Sequence, residues 1–223
     1  MRARTRSLGP VIVLLGAGVA GCSPAAPPPP ASGPVAALEA KARRFAPVEI
    51  NVQVDLPGNE PTVLGHLIRA ARLMDGLFLD QVWAGNSSLL IDLGADRTPL
   101  GRAEFHYFLL NKGPWSRLDE HEPFLPPARG VPAVKPAQAN FYPADATREE
   151  VEAWIGSLTG EARGAATGFF TLIRRDAAGG LTAVPYSTAY RNTLVEAASH
   201  LRAASALTTE PTLKRFLDTR ADA

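Results

Sequence analysis

The chain has one cysteine, Cys22, among its 223 residues, so it cannot form an internal disulfide. It also has no strong excess of charge, because 23 Lys and Arg residues face 22 Asp and Glu residues and give a formal net charge of +1. A nearly neutral chain offers no electrostatic reason to expect nucleic acid as a partner. The fold must depend on an apolar core, and hydrophobic residues make up 46% of the sequence, an ordinary share for a globular protein.

Common catalytic patterns are missing as well. There is no G-x-S-x-G elbow and no phosphate-binding G-x-x-x-x-G-K-[S/T] sequence. Two imidazoles on one helix can share a zinc ion when they lie about one turn apart. No pair among the four histidines has that spacing; they are His66, His106, His121 and His200. His121-Glu122 begins like a zinc-binding HExxH helix, but Pro123 is incompatible with that helix. The sequence therefore predicts no metal ligand, no cofactor and no catalytic residue in this chain.

No apolar run reaches the ~20 residues that a membrane-spanning helix needs. Residues 11–20 are apolar, follow a basic segment with three arginines, and end in the sequence Val-Ala-Gly-Cys at residues 19–22. This succession is typical of a lipoprotein signal peptide, which is cleaved before a lipid-bearing cysteine. We therefore expect export, a signal peptide at residues 1–21, and membrane lipid as a partner through Cys22. In a Gram-negative source, the anchor would lie on the periplasmic side of the inner or outer membrane. An uncleaved N-terminal anchor is the alternative.

Residues 22–34 form a second distinct segment. Six prolines occur in residues 23–34, and four of them are consecutive at residues 27–30. Such a composition favours extended polyproline II and cannot bury a core, so we interpret it as a semi-rigid tether. The remaining residues, 35–223, suffice for one domain.

Hydrophobic periodicity predicts that this domain is mainly α with minor β, an α+β fold with one amphipathic strand and a β-hairpin. The strand is predicted for residues 48–56, where apolar and polar side chains alternate strictly. The predicted helices cover residues 35–45, 61–83, 99–112, 147–158, 187–207 and 211–220. The hairpin is predicted for residues 169–175 and 181–186, joined by a five-residue loop.

Residues 111–145 carry the most specific pattern of the chain. The sequence Asn-Lys-Gly-Pro-Trp-Ser-Arg-Leu-Asp occupies residues 111–119, Pro-Phe follows at 123–124, and Lys-Pro-Ala-Gln-Ala-Asn-Phe-Tyr-Pro-Ala-Asp occupies residues 135–145. This succession resembles the N-terminal part of the bacterial dipeptidyl-peptidase III-like zinc metallopeptidases. The resemblance implies a portion of a larger two-lobed fold and a family that removes dipeptides from the N-termini of short peptides. It also implies zinc in the full-length family, held by an HExxGH-type motif that this chain does not contain.

The same residues contain the candidate site. We single out Trp115, Arg117, Asp119, Asn140 and Tyr142 as side chains that either line a substrate cleft or brace a loop. In the bracing interpretation, Arg117 and Asp119 form an ion pair with each other, and Trp115 fills the core.

Three functional hypotheses follow. The first is an N-terminal fragment of an exported, lipid-anchored zinc dipeptidyl-peptidase that is inactive by itself. The second is a non-catalytic envelope lipoprotein that acts as a structural module or binds short peptides. The third is a different hydrolase that uses Glu196 and His200, which lie one helical turn apart; an exposed carboxylate–imidazole pair is the simpler explanation for these two side chains.

Overall fold

The computed structural model describes residues 33–51 and 53–223. The predicted signal peptide, Cys22 and nearly all of the proline-rich tether lie outside the described residues. The helices are α1 (Pro34–Ala42), α2 (Glu60–Val82), α3 (Asn86–Ala95), α4 (Pro99–Asn111), α5 (Arg148–Ser157), α6 (Gly160–Ala166), α7 (Tyr186–Ala189), α8 (Arg191–Leu207) and α9 (Pro211–Asp222). The strands are β1 (Trp115–Ser116), β2 (Glu122–Pro123), β3 (Thr171–Arg175) and β4 (Leu181–Pro185). The fold is thus mainly α with minor β, as predicted.

Helix α2 is the central element, because its two halves belong to two different apolar clusters. Its first half contributes Val63 to a cluster with Ala204 of α8 and Leu217 of α9. Its second half contributes Leu79 to a larger cluster with α3, α4 and residues 113–131. Phe108 at the middle of that second cluster is completely buried. Burying a side chain of this size stabilises a fold by about 1.5–3 kcal/mol, so the two clusters hold α2 at both ends.

The two sheets are small antiparallel pairs. Strand β3 pairs with β4 in the register Ile173 opposite Ala183, and residues 176–180 form the five-residue loop that the sequence predicts. Strand β1 pairs with β2 over two residues only, with Trp115 opposite Pro123. Backbone pairing to Pro123 is limited because proline has no N–H.

Local sequence signals set the boundaries of two helices. The Thr98 hydroxyl accepts a hydrogen bond from the Gly101 N–H at 3.0 Å and caps α4. The Thr147 hydroxyl accepts one from the Glu150 N–H at 3.1 Å and caps α5. Both caps are predicted from the sequence, because Thr at the N-cap satisfies an N–H that the helix leaves unpaired.

Three predictions of secondary structure are wrong. Residues 48–56 do not belong to any strand of the described part of the chain, because their described residues pair with neither of its two sheets. Helices α3 and α6 are missing from the prediction, because both are short and glycine interrupts their apolar pattern. The single helix predicted for residues 187–207 is broken at Tyr190, whose φ of −113° and ψ of 19° depart from helical geometry.

None of the helices in the described residues is long and apolar enough to cross a membrane.

Candidate functional site

Trp115 lies in the larger apolar cluster and is 2% exposed. Its ring meets the Trp83 ring edge to face, with centroids 5.3 Å apart. Its indole N–H donates to the Pro132 carbonyl oxygen at 3.1 Å. The side chain therefore ties the end of α2 to residues 113–132 and has no free edge for a ligand.

Arg117 and Asp119 do not pair with each other, which corrects the ion pair expected from the sequence. The guanidinium of Arg117 donates to the Leu110 carbonyl at 2.7 Å and lies 5.5 Å from the centre of the Phe45 ring. Asp119 instead pairs with Lys41 at 2.8 Å and with Arg44. Lys41 lies in the last turn of α1, and Arg44 follows the helix. A basic helix end more than 70 residues away in sequence supplies these partners, so local spacing could not identify them.

The surroundings of Asp119 favour its charged form. Hydrogen bonds from Arg44, from Lys41 and from the Ser116 hydroxyl hold the pKa of the Asp119 carboxyl well below its usual range. The Ser116 hydroxyl lies 2.7 Å from the carboxylate and 2.6 Å from the Tyr107 hydroxyl, so the charge sits at the end of a buried hydrogen-bond chain. A carboxylate this fully hydrogen-bonded has little capacity left to accept a substrate proton.

Asn140 joins three parts of the chain. Its side-chain amide donates to the Asp80 carbonyl at 2.9 Å, and its backbone N–H donates to the Gln81 carbonyl at 3.0 Å, both near the end of α2. Its backbone carbonyl accepts from the Arg174 guanidinium at 2.9 Å, which fixes it to β3. The next residue continues the contact, because the Ile173 N–H donates to the Phe141 carbonyl at 2.9 Å. Residues 140–141 thus connect α2 to the β3–β4 hairpin.

Tyr142 is half-buried, with no hydrogen bond from its hydroxyl among the described residues. The described residues form clefts of about 660 Å³ and about 540 Å³. Neither is lined by any of the five candidate side chains. The structure places Trp115 and Asn140 at the end of α2, Arg117 beside the end of α4, and Asp119 beside the end of α1.

The larger cleft runs between the second half of α2 and the start of α8. It presents charges of both signs: Arg72 and Asp80 come from α2, and Arg191 begins α8. No side chain caps the N-terminus of α8 at this cleft, where the first N–H groups of a helix have no partner within the helix itself. A small molecule with both an anionic and a cationic end fits this pattern of charge.

The histidines do not form a metal centre in the described residues, which contain no group of three His, Cys, Asp or Glu side chains able to hold an ion. His200 does meet another histidine, since its Nδ1 lies 3.2 Å from Nδ1 of His66 on α2. The expected pair of His200 with Glu196 is wrong, because His200 turns toward α2 instead. His121 has a φ of 64° and precedes β2, so the helix that HExxH requires is absent at this position.

Two buried polar groups are missing from the sequence-based interpretation. Asn86 is fully buried, and its amide donates to the Leu79 carbonyl at 2.9 Å and to the Lys112 carbonyl at 3.3 Å. Glu104 is 5% exposed and pairs with Arg129 at 3.2 Å. Burial raises the pKa of Glu104, and the charge of Arg129 opposes that effect. Their partners lie on other elements, so neither residue has a signal in its own neighbourhood of the sequence.

Two solved structures resemble this chain. Dipeptidyl-peptidase III from Corallococcus sp. strain EGB is 54% identical with a TM-score of 0.80, over 85% of this chain and 35% of that chain. DPP III from Caldithrix abyssi is 39% identical with a TM-score of 0.76, over 83% of this chain and 34% of that chain. The resemblance that residues 111–145 indicate is thus confirmed in both sequence and fold.

A third relative is a protein of Arabidopsis thaliana named Nudix hydrolase 3, which is 32% identical over 232 residues. The match covers 83% of this chain and 30% of that protein. No family model matches the chain. The chain spans about a third of the length of each of these relatives.

Proposed function

We propose that this chain is a scaffold portion of a zinc peptidase that releases dipeptides from short peptides. The chain is related in sequence and fold to a part of bacterial dipeptidyl-peptidase III. The observation that carries the proposal is the 54% identity over 85% of the chain, at a TM-score of 0.80. The described residues do not fit a zinc ion, because they include no group of three suitable ligands. We therefore assign the chain no step of the hydrolysis and expect it to be inactive alone.

The scaffold role agrees with where the candidate residues lie. Trp115 packs against the end of α2 and Asn140 donates to it, so both fix residues 113–143 against α2, and Asp119 fixes them against α1. Each of these side chains uses its polar groups on the protein itself. A block held in this way offers a rigid surface against which the rest of a peptidase can pack.

A chimeric enzyme tests this function. The matched third of the Corallococcus enzyme is exchanged for the corresponding residues of this chain, and release of dipeptides from a chromogenic dipeptidyl substrate is measured with zinc present. We expect the chimera to retain activity and the full 223-residue chain alone to show none. A chimera that folds and binds zinc but releases no dipeptide would contradict the proposal, as would chelator-sensitive activity of the chain alone.

The second candidate function is a module that binds short peptides without zinc, and the larger cleft favours it. Arg72 and Arg191 can receive a peptide carboxylate, and Asp80 can receive a peptide ammonium group. The cleft volume of about 660 Å³ is within the range of small-molecule sites.

Calorimetric titration of the full chain with tetraalanine tests this alternative. Free tetraalanine should bind more tightly than its N-acetylated, C-amidated form, and Arg72→Ala should weaken only the former. Arg215→Ala is the matched control, because Arg215 is exposed on α9 and does not line the cleft. Equal binding of the free and blocked peptides, or no binding of either, would exclude the cleft as a site for peptide termini.

We further propose that Cys22 carries the lipid that anchors the protein to the cell envelope. The support is the basic segment, the short apolar run and the Val-Ala-Gly-Cys sequence at residues 19–22. In a bacterial host, the full chain should incorporate a labelled fatty acid and fractionate with membranes, whereas Cys22→Ser should do neither. Labelling of the Cys22→Ser protein would contradict this assignment.

A further inference from the structure

Residues 46–57 include the strand predicted for residues 48–56, but their described residues are not part of either described sheet. Their apolar side chains are open to solvent: Val48 is 82% exposed, Ile50 83% and Val54 60%. Fully burying one such side chain is worth about 1.5–3 kcal/mol. The strict alternation would place all of them on one face of a strand, so this face leaves a large stabilisation unused.

The backbone of this segment is also unpaired. Among residues 46–51 and 53–56, no N–H or C=O group makes a described backbone–backbone hydrogen bond, and the Pro57 carbonyl accepts one from the Glu60 N–H at 3.1 Å. A run with free backbone groups and alternating apolar side chains can add to the edge of another sheet when it becomes extended.

Both ends of the segment are fixed to the helical body. At one end, the Phe45 ring lies 6.2 Å from the Tyr107 ring, edge to face. At the other, the Glu60 carboxylate accepts a hydrogen bond from the Thr208 hydroxyl at 2.8 Å. A segment held at both ends loses less conformational freedom when it docks than a free peptide of the same length.

We propose that residues 48–56 become a β-strand by adding to the edge of a sheet in the polypeptide that makes up the other two thirds of the dipeptidyl-peptidase III fold. This inference rests on the proposed function. The relatives support it, because this chain covers only 35% and 34% of the two solved enzymes, and its own described sheets leave the segment out. The remaining polypeptide of those enzymes is the partner for an edge that this chain does not itself cover.

The charges of the segment define the chemistry of that partner. The polar face carries Glu49 and Asp55 with Asn51 and Gln53 between them, and no cation. Opposite charges across a strand pair stabilise it, and like charges destabilise it. The facing strand is therefore apolar on one side and neutral or basic on the other.

The same charges argue against a second copy of this chain as the partner. Antiparallel pairing of the segment with itself, centred on residue 52, places Glu49 opposite Asp55 at two positions. A shift by two residues in either direction places Pro47 or Pro57 opposite one of the acidic residues instead. Proline has no N–H to give to the ladder, so these registers lose hydrogen bonds.

Hydrogen exchange measured by mass spectrometry tests the proposal. The amides of residues 48–56 are compared in the full chain alone and in the Corallococcus chimera described above. We expect fast exchange in the chain alone and exchange slower by about 100-fold in the chimera, because strand pairing protects amides from solvent. The aligned segment of the unaltered Corallococcus enzyme provides a second measurement that does not depend on folding of the chimera.

Two variants with the same new charge on opposite faces make the test specific. Ile50→Asp places a carboxylate on the apolar face, and the matched control Asn51→Asp places one on the polar face. Ile50→Asp should abolish the protection in the chimera, and Asn51→Asp should retain most of it.

Each outcome decides the inference. Fast exchange in both the chimera and the Corallococcus enzyme would overturn it, and so would protection that survives Ile50→Asp. Protection in the chain alone together with dimers in light scattering would assign the segment to a second copy instead. Dipeptide release is measured separately. An active chimera with an unprotected segment would refute the strand pairing and leave the proposed function intact. A protected but inactive chimera would support the strand pairing and contradict the proposed function.

Discussion

Residues 46–57 and residues 113–143 are the two longest stretches of the described chain with little regular structure, and they are held very differently. The first has strict apolar alternation, yet Val48 and Ile50 are more than four-fifths exposed. The second has no such alternation and many prolines, yet Trp115 and Leu125 are among the most buried side chains of the fold.

The difference lies in what each stretch meets. Hydrogen bonds fix the irregular backbone of residues 113–143. Asp119 contacts α1, Arg117 contacts α4, and Asn140 contacts both α2 and β3. Residues 46–57 have a face to bury and nothing in the described chain to bury it against. Periodicity shows that a segment can form a strand, but pairing requires a neighbouring edge.

The largest effect is expected for Trp115→Ala, which removes the side chain that joins the irregular stretch to the core. Replacing a buried Trp with Ala costs about 3–5 kcal/mol of the free energy of unfolding. Urea denaturation of the full chain measures this cost. Ile91→Ala is the control on the neighbouring helix α3, because Ile91 is 72% exposed, and it should change the free energy by less than about 0.5 kcal/mol. Similar midpoints for the two variants would show that residues 113–143 are not held by this contact.

A smaller loss is expected for Asn140→Ala. This change removes the amide that donates to the Asp80 carbonyl and the oxygen that accepts from Arg174. Losing a half-buried amide with these partners costs about 1–3 kcal/mol. Urea denaturation again measures it, with Asn51→Ala as the control, because Asn51 is exposed and makes no described hydrogen bond. A neutral Asn140→Ala change would mean that backbone contacts alone connect α2 to the β3–β4 hairpin.

Asp119→Asn should have an effect that depends on pH. The pKa of Asp119 is lowered in the folded state by Arg44, Lys41 and Ser116, so the folded protein favours the ionised form. Its contribution to stability is therefore fully present above the unfolded pKa of about 4 and is lost as the pH falls toward the lower folded pKa.

Thermal unfolding followed between pH 7 and pH 2.5 checks this expectation. The difference in Tm between the wild type and Asp119→Asn should be constant from neutral pH to about pH 5 and shrink below about pH 4. Asp75→Asn is the control, because Asp75 is 65% exposed and lies 3.4 Å from Lys112. A difference that persists unchanged at low pH would show that Asp119 acts through packing rather than through its charge.

Local signals in the sequence were enough to predict most of the helices. Thr98 and Thr147 satisfy helix N–H groups within three residues of themselves, and the β3–β4 hairpin closes over a five-residue loop. The partners of Asp119 and Asn140 were not predictable, because they are brought together only by the packing of distant helices. The specific sequence of residues 111–145 was enough to predict the relationship that the two solved structures show.

The smallest effect is expected for Ile50→Ala in the chain alone, and it defines the comparison between the two stretches most sharply. Ile50 is 83% exposed, so removing its side chain should change the free energy of unfolding by less than about 0.5 kcal/mol. Leu217→Ala is the contrast at 1% exposure, and it should cost about 2–5 kcal/mol. If Ile50→Ala instead costs more than about 1 kcal/mol, its side chain is already packed in the isolated chain, and residues 48–56 need no outside strand. If the cost is small in the chain alone and large in the chimera, the alternation of this segment serves a surface that the rest of the enzyme supplies.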